Sequence, residues 1–295
     1  MKAKSLSQGG VIGICSPSHI AEYEDYQNTI QSIEACGFKV REAKNLYRRT
    51  YGYAATPKER AEDFNQLVAD PEVELILFGG GEGANELLPY IDFEKLKENP
   101  KRICSYSDGT FLLNPIWAKT GLEVYYGQAP HLFLDLSDYD AKHFWEHLIR
   151  DSMNVHVANS EWKVQTKGIA EGILIGGYAR NFAMILGNKY FPWNKDEKYV
   201  LFIEDHEMFG GVDYYSAMLT HIEQDEFMEN VTGLLVGNFS DEEHPELLAR
   251  LKRIGEKYHI PVVYCDDFGH GKNHAIFPIG RYVRLEATKE KLFYL

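Results

Sequence analysis

Cysteine is scarce in this chain of 295 residues: Cys15, Cys36, Cys104 and Cys265 lie far apart, with no CxxC and no Cys/His pair at metal-finger spacing. That spacing excludes a zinc ribbon and a disulfide framework, and the four read as reduced, mostly buried thiols. Long apolar runs are missing as well. Near the start only residues 11–15 are continuously apolar, with glycine before them and Pro17 after, too short for a signal h-region or a membrane span. A cytoplasmic location is the expectation. Positive charge is in deficit, since 31 Lys+Arg against 44 Asp+Glu leave a net charge of −13. Attraction to phosphate backbones or anionic lipid is therefore not expected as a main function, and neither nucleic acid nor membrane is an expected partner. With 25 glycines, 11 prolines and no repeat or low-complexity tract, the disordered, collagen-like and coiled-coil classes drop out.

What is present suits a large soluble α/β protein, either one domain or two packed ones. Residues 11–15 read as a buried strand, and residues 24–36 carry helical spacing up to Gly37. Thr56-Pro57-Lys58-Glu59 is a helix entry, with an N-cap hydroxyl, proline at the first position and a glutamate placed to close a capping box; the helix should run to about Val68. A strand over residues 73–78 runs into Gly79-Gly80-Gly81-Glu82-Gly83, residues 84–90 should begin another helix, and residues 101–106 form a strand before a helical stretch at 111–118. This alternation predicts a parallel sheet covered on both faces, with functional groups at the carboxyl ends of its strands. Residues 1–150 are expected as one domain, 151–168 as a polar linker and 169–295 as a second domain. Apolar strands resume there at 173–177, 199–203, 233–236 and 261–264, and β segments at 275–285 and 291–295 imply a mixed sheet.

Three segments carry chemistry. In Ser105-Tyr106-Ser107-Asp108-Gly109-Thr110 a serine sits between a strand and a helix, where a tight turn exposes its hydroxyl to helix N-terminal amides. Ser107 is then a candidate nucleophile, and the amide of Asp108 a candidate oxyanion donor; the alternative is that Ser107 is only an N-cap. The glycine loop lacks the spacing of a dinucleotide site or a P-loop, and Glu82 would repel phosphate. Its glycines would instead let backbone at Gly80 and Gly81 approach a substrate closely. Late in the chain, Glu204-Asp205-His206-Glu207 follow an apolar strand and His270 stands between two glycines. Ser107, Glu204 and His270 form a possible triad in which His270 takes the serine proton and Glu204 orients the imidazole. Neighbours on a strand point to opposite faces, so residues 204–207 are a poor metal set.

These motifs resemble the serine LD-carboxypeptidases, peptidase family S66, which include the microcin C immunity peptidases. The resemblance rests on Ser-Tyr-Ser-Asp-Gly-Thr, the Gly-Gly-x-Gly-x-Asn loop before Leu-Leu-Pro-Tyr-Ile-Asp92, the Ile-Glu-Asp acid and the Phe-Gly-His-Gly to Phe-Pro-Ile-Gly280 ending. It implies an N-terminal Rossmann-like domain with the nucleophile and a C-terminal swivelling-type β/α domain with the acid and histidine. It also implies a homodimer, no metal or other cofactor, and cleavage of an amide bond before a C-terminal residue, as in release of D-Ala from the L,D bond of muropeptides during cell-wall recycling. By position Ser107 matches the nucleophile, Glu204 the acid, His270 the base, and Asp108 with the Gly80-Gly81 step the oxyanion hole. The chain departs from the family pattern at Glu82, where an aromatic ring is usual, at Ser216-Ala217-Met218-Leu219, and at Gly176-Gly177-Tyr178-Ala179-Arg180-Asn181. Glu82 and Arg180 are therefore candidate substrate contacts, and Arg180, Lys189 and Arg281 are among the cations that could hold a substrate carboxylate. Other readings are an aminoacyl-nucleotide amide hydrolase, a silent peptide-binding protein on the same scaffold, and a glutaminase-type amidase using Cys104.

Overall fold

The computed structural model describes residues 1–18, 23–52 and 54–295. The chain divides into two compact units, Met1–Asp151 and Ser152–Leu295.

In the first unit, strands β1 (Val11–Ile14), β2 (Lys39–Glu42), β3 (Val73–Leu77), β4 (Arg102–Ser105) and β5 (Val124–Tyr126) lie in the order β5-β4-β3-β1-β2, and every neighbouring pair is parallel. The strand order reverses at β1, and in sheets of this kind functional groups gather at the carboxyl edge beside such a switch point. The helices are α1 (Tyr23–Ala35), α2 (Pro57–Ala69), α3 (Phe93–Glu98), α4 (Thr110–Thr120) and α5 (Asp138–Phe144). The capping box at α2 forms as its sequence predicts: Glu59 N–H donates to Thr56 Oγ1 at 3.2 Å, and Thr56 N–H to Glu59 Oε2 at 2.9 Å. Residues 84–90, expected to begin a helix, form 3₁₀ turns with Pro89 among them. Proline lacks the N–H that an α-helix needs there, and α3 starts afresh with Asp92 accepting from Lys95 N–H at 2.9 Å.

The second unit holds β6 (Val155–Val157), β7 (Lys163–Thr166), β8 (Ile169–Tyr178), β9 (Tyr199–Glu204), β10 (Val231–Asn238), β11 (Val262–Gly269), β12 (Phe277–Ile279), β13 (Tyr282–Glu286) and β14 (Lys291–Tyr294). Eight of these form one sheet in the order β6-β14-β13-β8-β9-β10-β11-β7. The centre, β8 to β11, is parallel and both flanks are antiparallel, giving a mixed sheet. Helices α6 (Ala179–Ile185), α7 (Val212–Gln224) and α8 (Pro245–Tyr258) complete the unit.

The stretch 151–168, expected as a linker, instead supplies both edge strands of this sheet, β6 and β7. Polar groups hold it in place. Asp267, fully buried on β11, accepts hydrogen bonds from Asn159 N–H (3.0 Å), Ser160 N–H and Oγ (both 2.7 Å) and Trp162 Nε1 (2.9 Å), and meets His156 Nε2 at 2.9 Å. A segment fastened through one buried carboxylate has no continuous apolar run to announce it.

Candidate active site

In the first unit the chain leaves β4 with Tyr106 extended and then turns at Ser107, whose φ is +54°. The left-handed region costs a non-glycine residue roughly 1 kcal/mol or more, so its surroundings must enforce it. Ser107 N–H donates to the Tyr126 hydroxyl at 3.0 Å, and Gly109 N–H closes the turn on the Tyr106 carbonyl at 3.0 Å. This is a strand-to-helix elbow that lifts one side chain out of the regular path. The N-cap of α4 is Gly109, without a side-chain cap, so Ser107 is not that helix's N-cap.

The glycine loop after β3 lies against this elbow. A Cβ at Gly80 would fall 2.8 Å from Ser107 Cβ and 3.1 Å from its Oγ, so only glycine brings the loop backbone so near the hydroxyl. Beyond it Gly81 and Gly83 have positive φ, and Glu82 is exposed.

Asp108 was singled out in the sequence for its amide; its buried carboxylate proves to be a hub. Its Oδ2 accepts from Ser18 Oγ at 2.5 Å and from Ala84 N–H at 2.8 Å, tying the loops after β1 and β3 to the elbow. Arg60 of α2, also buried, joins the same loops from beneath. It donates to the carbonyls of Pro17 (2.5 Å), Ala55 (3.0 Å) and Gly83 (3.3 Å) and pairs with Glu86. Nothing in the sequence marks Arg60, which reads as one more polar residue of an amphipathic helix. Cys104 lies inside β4, and burial pushes its thiol up to about 12. Its burial within the strand, before the turn at Ser107, speaks against the glutaminase-type reading.

In the second unit Glu204, the last residue of β9, is fully buried, and His270 follows β11 directly. His270 Nδ1 and Glu204 Oε2 are 2.7 Å apart. Gly269, at φ +114°, permits this approach, since a Cβ there would stand 3.1 Å from both Glu204 Cβ and Oε2. Burial alone would lower the His270 pKa; the Glu204 charge, its hydrogen bond and Asp205 outweigh burial and raise it. The Nδ1 side of the ring thus faces the Glu204 carboxylate. The imidazole packs against Tyr178 (5.2 Å between ring centroids) and Phe209 (5.0 Å).

The neighbours of Glu204 turn elsewhere. Asp205 Oδ1 accepts from His206 N–H at 2.8 Å, and burial pushes its carboxyl up to about 6. His206 Nδ1 accepts from Met208 N–H at 3.2 Å. Glu207 accepts from Ser240 Oγ at 2.5 Å and meets His244 Nε2 at 3.2 Å. These four side chains do not converge on a common point. Arg180, at the start of α6, lies over the rings of Tyr214 (4.8 Å) and Tyr178 (5.5 Å). The expected residues are thus gathered in two groups: Ser107, Asp108 and Gly80 in the first unit, Glu204 and His270 in the second.

Comparison with known proteins divides the chain in the same way. The family model of the LD-carboxypeptidase N-terminal domain matches residues 12–127, and that of the LD-carboxypeptidase C-terminal domain matches residues 171–285. The microcin C7 self-immunity protein MccF of Escherichia coli is 30% identical, covering 69% of this chain and 68% of its own. A Bacillus subtilis protein named "Probable murein peptide carboxypeptidase" is 27% identical, covering 98% of this chain and 92% of its own. Among solved structures, an MccF-like protein of Bacillus anthracis superposes with a TM-score of 0.91 at 25% identity, covering 100% of this chain and 99% of that one. Among the described residues no helix is long and apolar enough to cross a membrane.

Proposed function

Because the chain belongs to the LD-carboxypeptidase family, peptidase family S66, and is therefore a peptidase, we propose that it is a serine hydrolase. Its reaction is cleavage of the amide bond before the C-terminal residue of a small peptide, and its substrate is the L,D bond of a muropeptide, with release of D-Ala. The observation that carries this reading is the left-handed elbow at Ser107, strained for a non-glycine residue and crowded by a glycine loop.

In this mechanism the first unit supplies the nucleophile and the second the proton relay. Ser107 Oγ attacks the scissile carbonyl while His270 Nε2 takes its proton, and Glu204 holds Nδ1–H and stabilises the imidazolium. The oxyanion is met by the Asp108 amide and the Gly80-Gly81 step, the type of donor whose loss typically lowers kcat by about 10²–10³. Collapse of the tetrahedral adduct breaks the C–N bond, and the leaving nitrogen takes the proton from His270. Water, deprotonated by the same imidazole, then hydrolyses the acyl-serine and restores Ser107.

Labelling with a serine-reactive phosphonate, followed by peptide mapping, tests the nucleophile. Ser107→Ala should lose the label and lower kcat by roughly 10³ or more while still binding substrate. Normal turnover by a folded Ser107→Ala protein ends the serine-hydrolase reading. His270→Ala should be comparably damaging and Glu204→Gln less so.

The likeness to MccF supports a second substrate class, aminoacyl-nucleotide amides, hydrolysed through the same residues. Rates on matched muropeptides and aminoacyl-nucleotide amides separate the two. The same reading places the enzyme in the cytoplasm as a homodimer, for which light scattering on the purified protein should return twice the chain mass of 33.8 kDa.

A further inference from the structure

We infer that Arg180 anchors the substrate's free C-terminal carboxylate and so selects peptides that end at the residue to be removed. The inference rests on the carboxypeptidase reading above. In that reaction the leaving nitrogen takes its proton from His270, and the terminal carboxylate lies only two bonds beyond that nitrogen. Its anchor must therefore adjoin His270, as a cation or a cluster of N–H groups.

Arg180 meets this requirement through shared neighbours. Tyr178 and Phe209 both pack on the His270 ring; the Arg180 guanidinium lies over Tyr178, and its Nη2 donates to the Phe209 carbonyl at 3.1 Å. Tyr214 covers it at 4.8 Å. A guanidinium braced by rings and one carbonyl has little rotamer freedom left to lose when it binds an anion, and its planar fork matches a carboxylate.

The cation is also unspent. Arg180 forms no ion pair among the described residues, and its Nε–H is buried without a hydrogen-bond partner. The acid coupled to it is Asp205, whose Oδ2 is likewise buried without a partner. Burial holds that carboxyl at about 6, so Asp205 can accept a proton when a second carboxylate arrives. The other cations considered from the sequence have different surroundings: Lys189 is exposed over the Tyr190 ring, and Arg281 lies over the Tyr294 ring.

The test compares the tetrapeptide L-Ala-γ-D-Glu-L-Lys-D-Ala with its C-terminal amide, on the full chain and on Arg180→Gln and Arg180→Lys. The unaltered enzyme should prefer the acid. Arg180→Gln should raise KM for the acid roughly 10- to 100-fold, the range of a lost charge-assisted bond, with kcat within a few-fold and the amide unaffected. Arg180→Lys should recover part of the preference. An Arg180→Gln enzyme that keeps the original acid-to-amide ratio, or that loses both substrates equally, overturns the assignment. Phosphonate labelling of Ser107 needs no carboxylate and distinguishes the two failures. Normal labelling with an unchanged ratio removes Arg180 alone, whereas no labelling and no cleavage of either peptide removes the serine reading and this inference with it.

Discussion

Replacing Gly80 by alanine adds a single methyl where the structure leaves no room. The new Cβ would stand 2.8 Å from Ser107 Cβ, 3.1 Å from Oγ and 3.7 Å from Tyr106 Cε1. Carbon atoms settle at about 3.5 Å or more, so the loop and the serine must part by about 0.7 Å. Ser107 cannot yield easily: its amide is bound to Tyr126 at 3.0 Å, and the next side chain, Asp108, is fixed by Ser18 and Ala84. The loop must move instead, carrying the proposed oxyanion donors with it. Overpacking of this kind destabilises by about 1–3 kcal/mol, and displacing a reacting geometry by about 1 Å lowers rate about 10²-fold.

The expected result is therefore a fall in kcat near 10², KM within a few-fold, and a Tm lower by several degrees. Steady-state kinetics, a thermal scan and the rate of phosphonate labelling at Ser107 measure these together. Gly79→Ala is the control, because a Cβ there meets nothing within 4 Å, and it should keep full kcat. A Gly80→Ala enzyme that loses Tm but turns over normally would refute the argument that this loop sets the geometry at Ser107.

As the proposed base, His270 works only when neutral, so activity should rise as pH climbs through its raised pKa. Asp205 is among the charges that raise it, and Asp205→Asn should move the acid limb of kcat/KM to lower pH; an unmoved midpoint argues against that coupling. Asp108→Ala leaves Ser18 Oγ and Ala84 N–H without their buried acceptor, and a loss of about 1–3 kcal/mol in urea unfolding is expected alongside reduced kcat. Unchanged stability would show that the hub is dispensable. Glu82 is exposed, so Glu82→Gln should alter the ratio of kcat/KM between charged and neutral substrate pairs by roughly threefold or less at physiological salt; a larger change would place Glu82 in direct contact with substrate.

The sequence showed those parts of the fold that depend on local chemistry. The box at Thr56 and Glu59 needs only residues three apart, and the buried parallel strands β3 and β9 are apolar over most of their length, so both are visible in a short window. Edge strands β6 and β7 were hidden because their anchor is Asp267, about a hundred residues later. Ala84–Tyr90 form 3₁₀ turns in place of the expected helix because Pro89 lacks the N–H that a continuing α-helix requires.

The candidate site follows the same division. Ser107 could be picked out because a serine between strand and helix is a local event, although its φ of +54° is enforced from a distance by Tyr126. Glu204 and His270 each looked ordinary in the sequence. What joins them is the sheet: β9 and β11 flank β10 in one parallel set, so their carboxyl ends emerge on the same edge and deliver the acid and the imidazole 2.7 Å apart. Topology thus converts a separation of 66 residues into a hydrogen bond. The roles of the Asp108 carboxylate and of Arg60 stayed hidden for a related reason. Each residue gathers groups from loops that are remote in sequence, several of them backbone carbonyls and amides, and such partners carry no side-chain signal in the sequence.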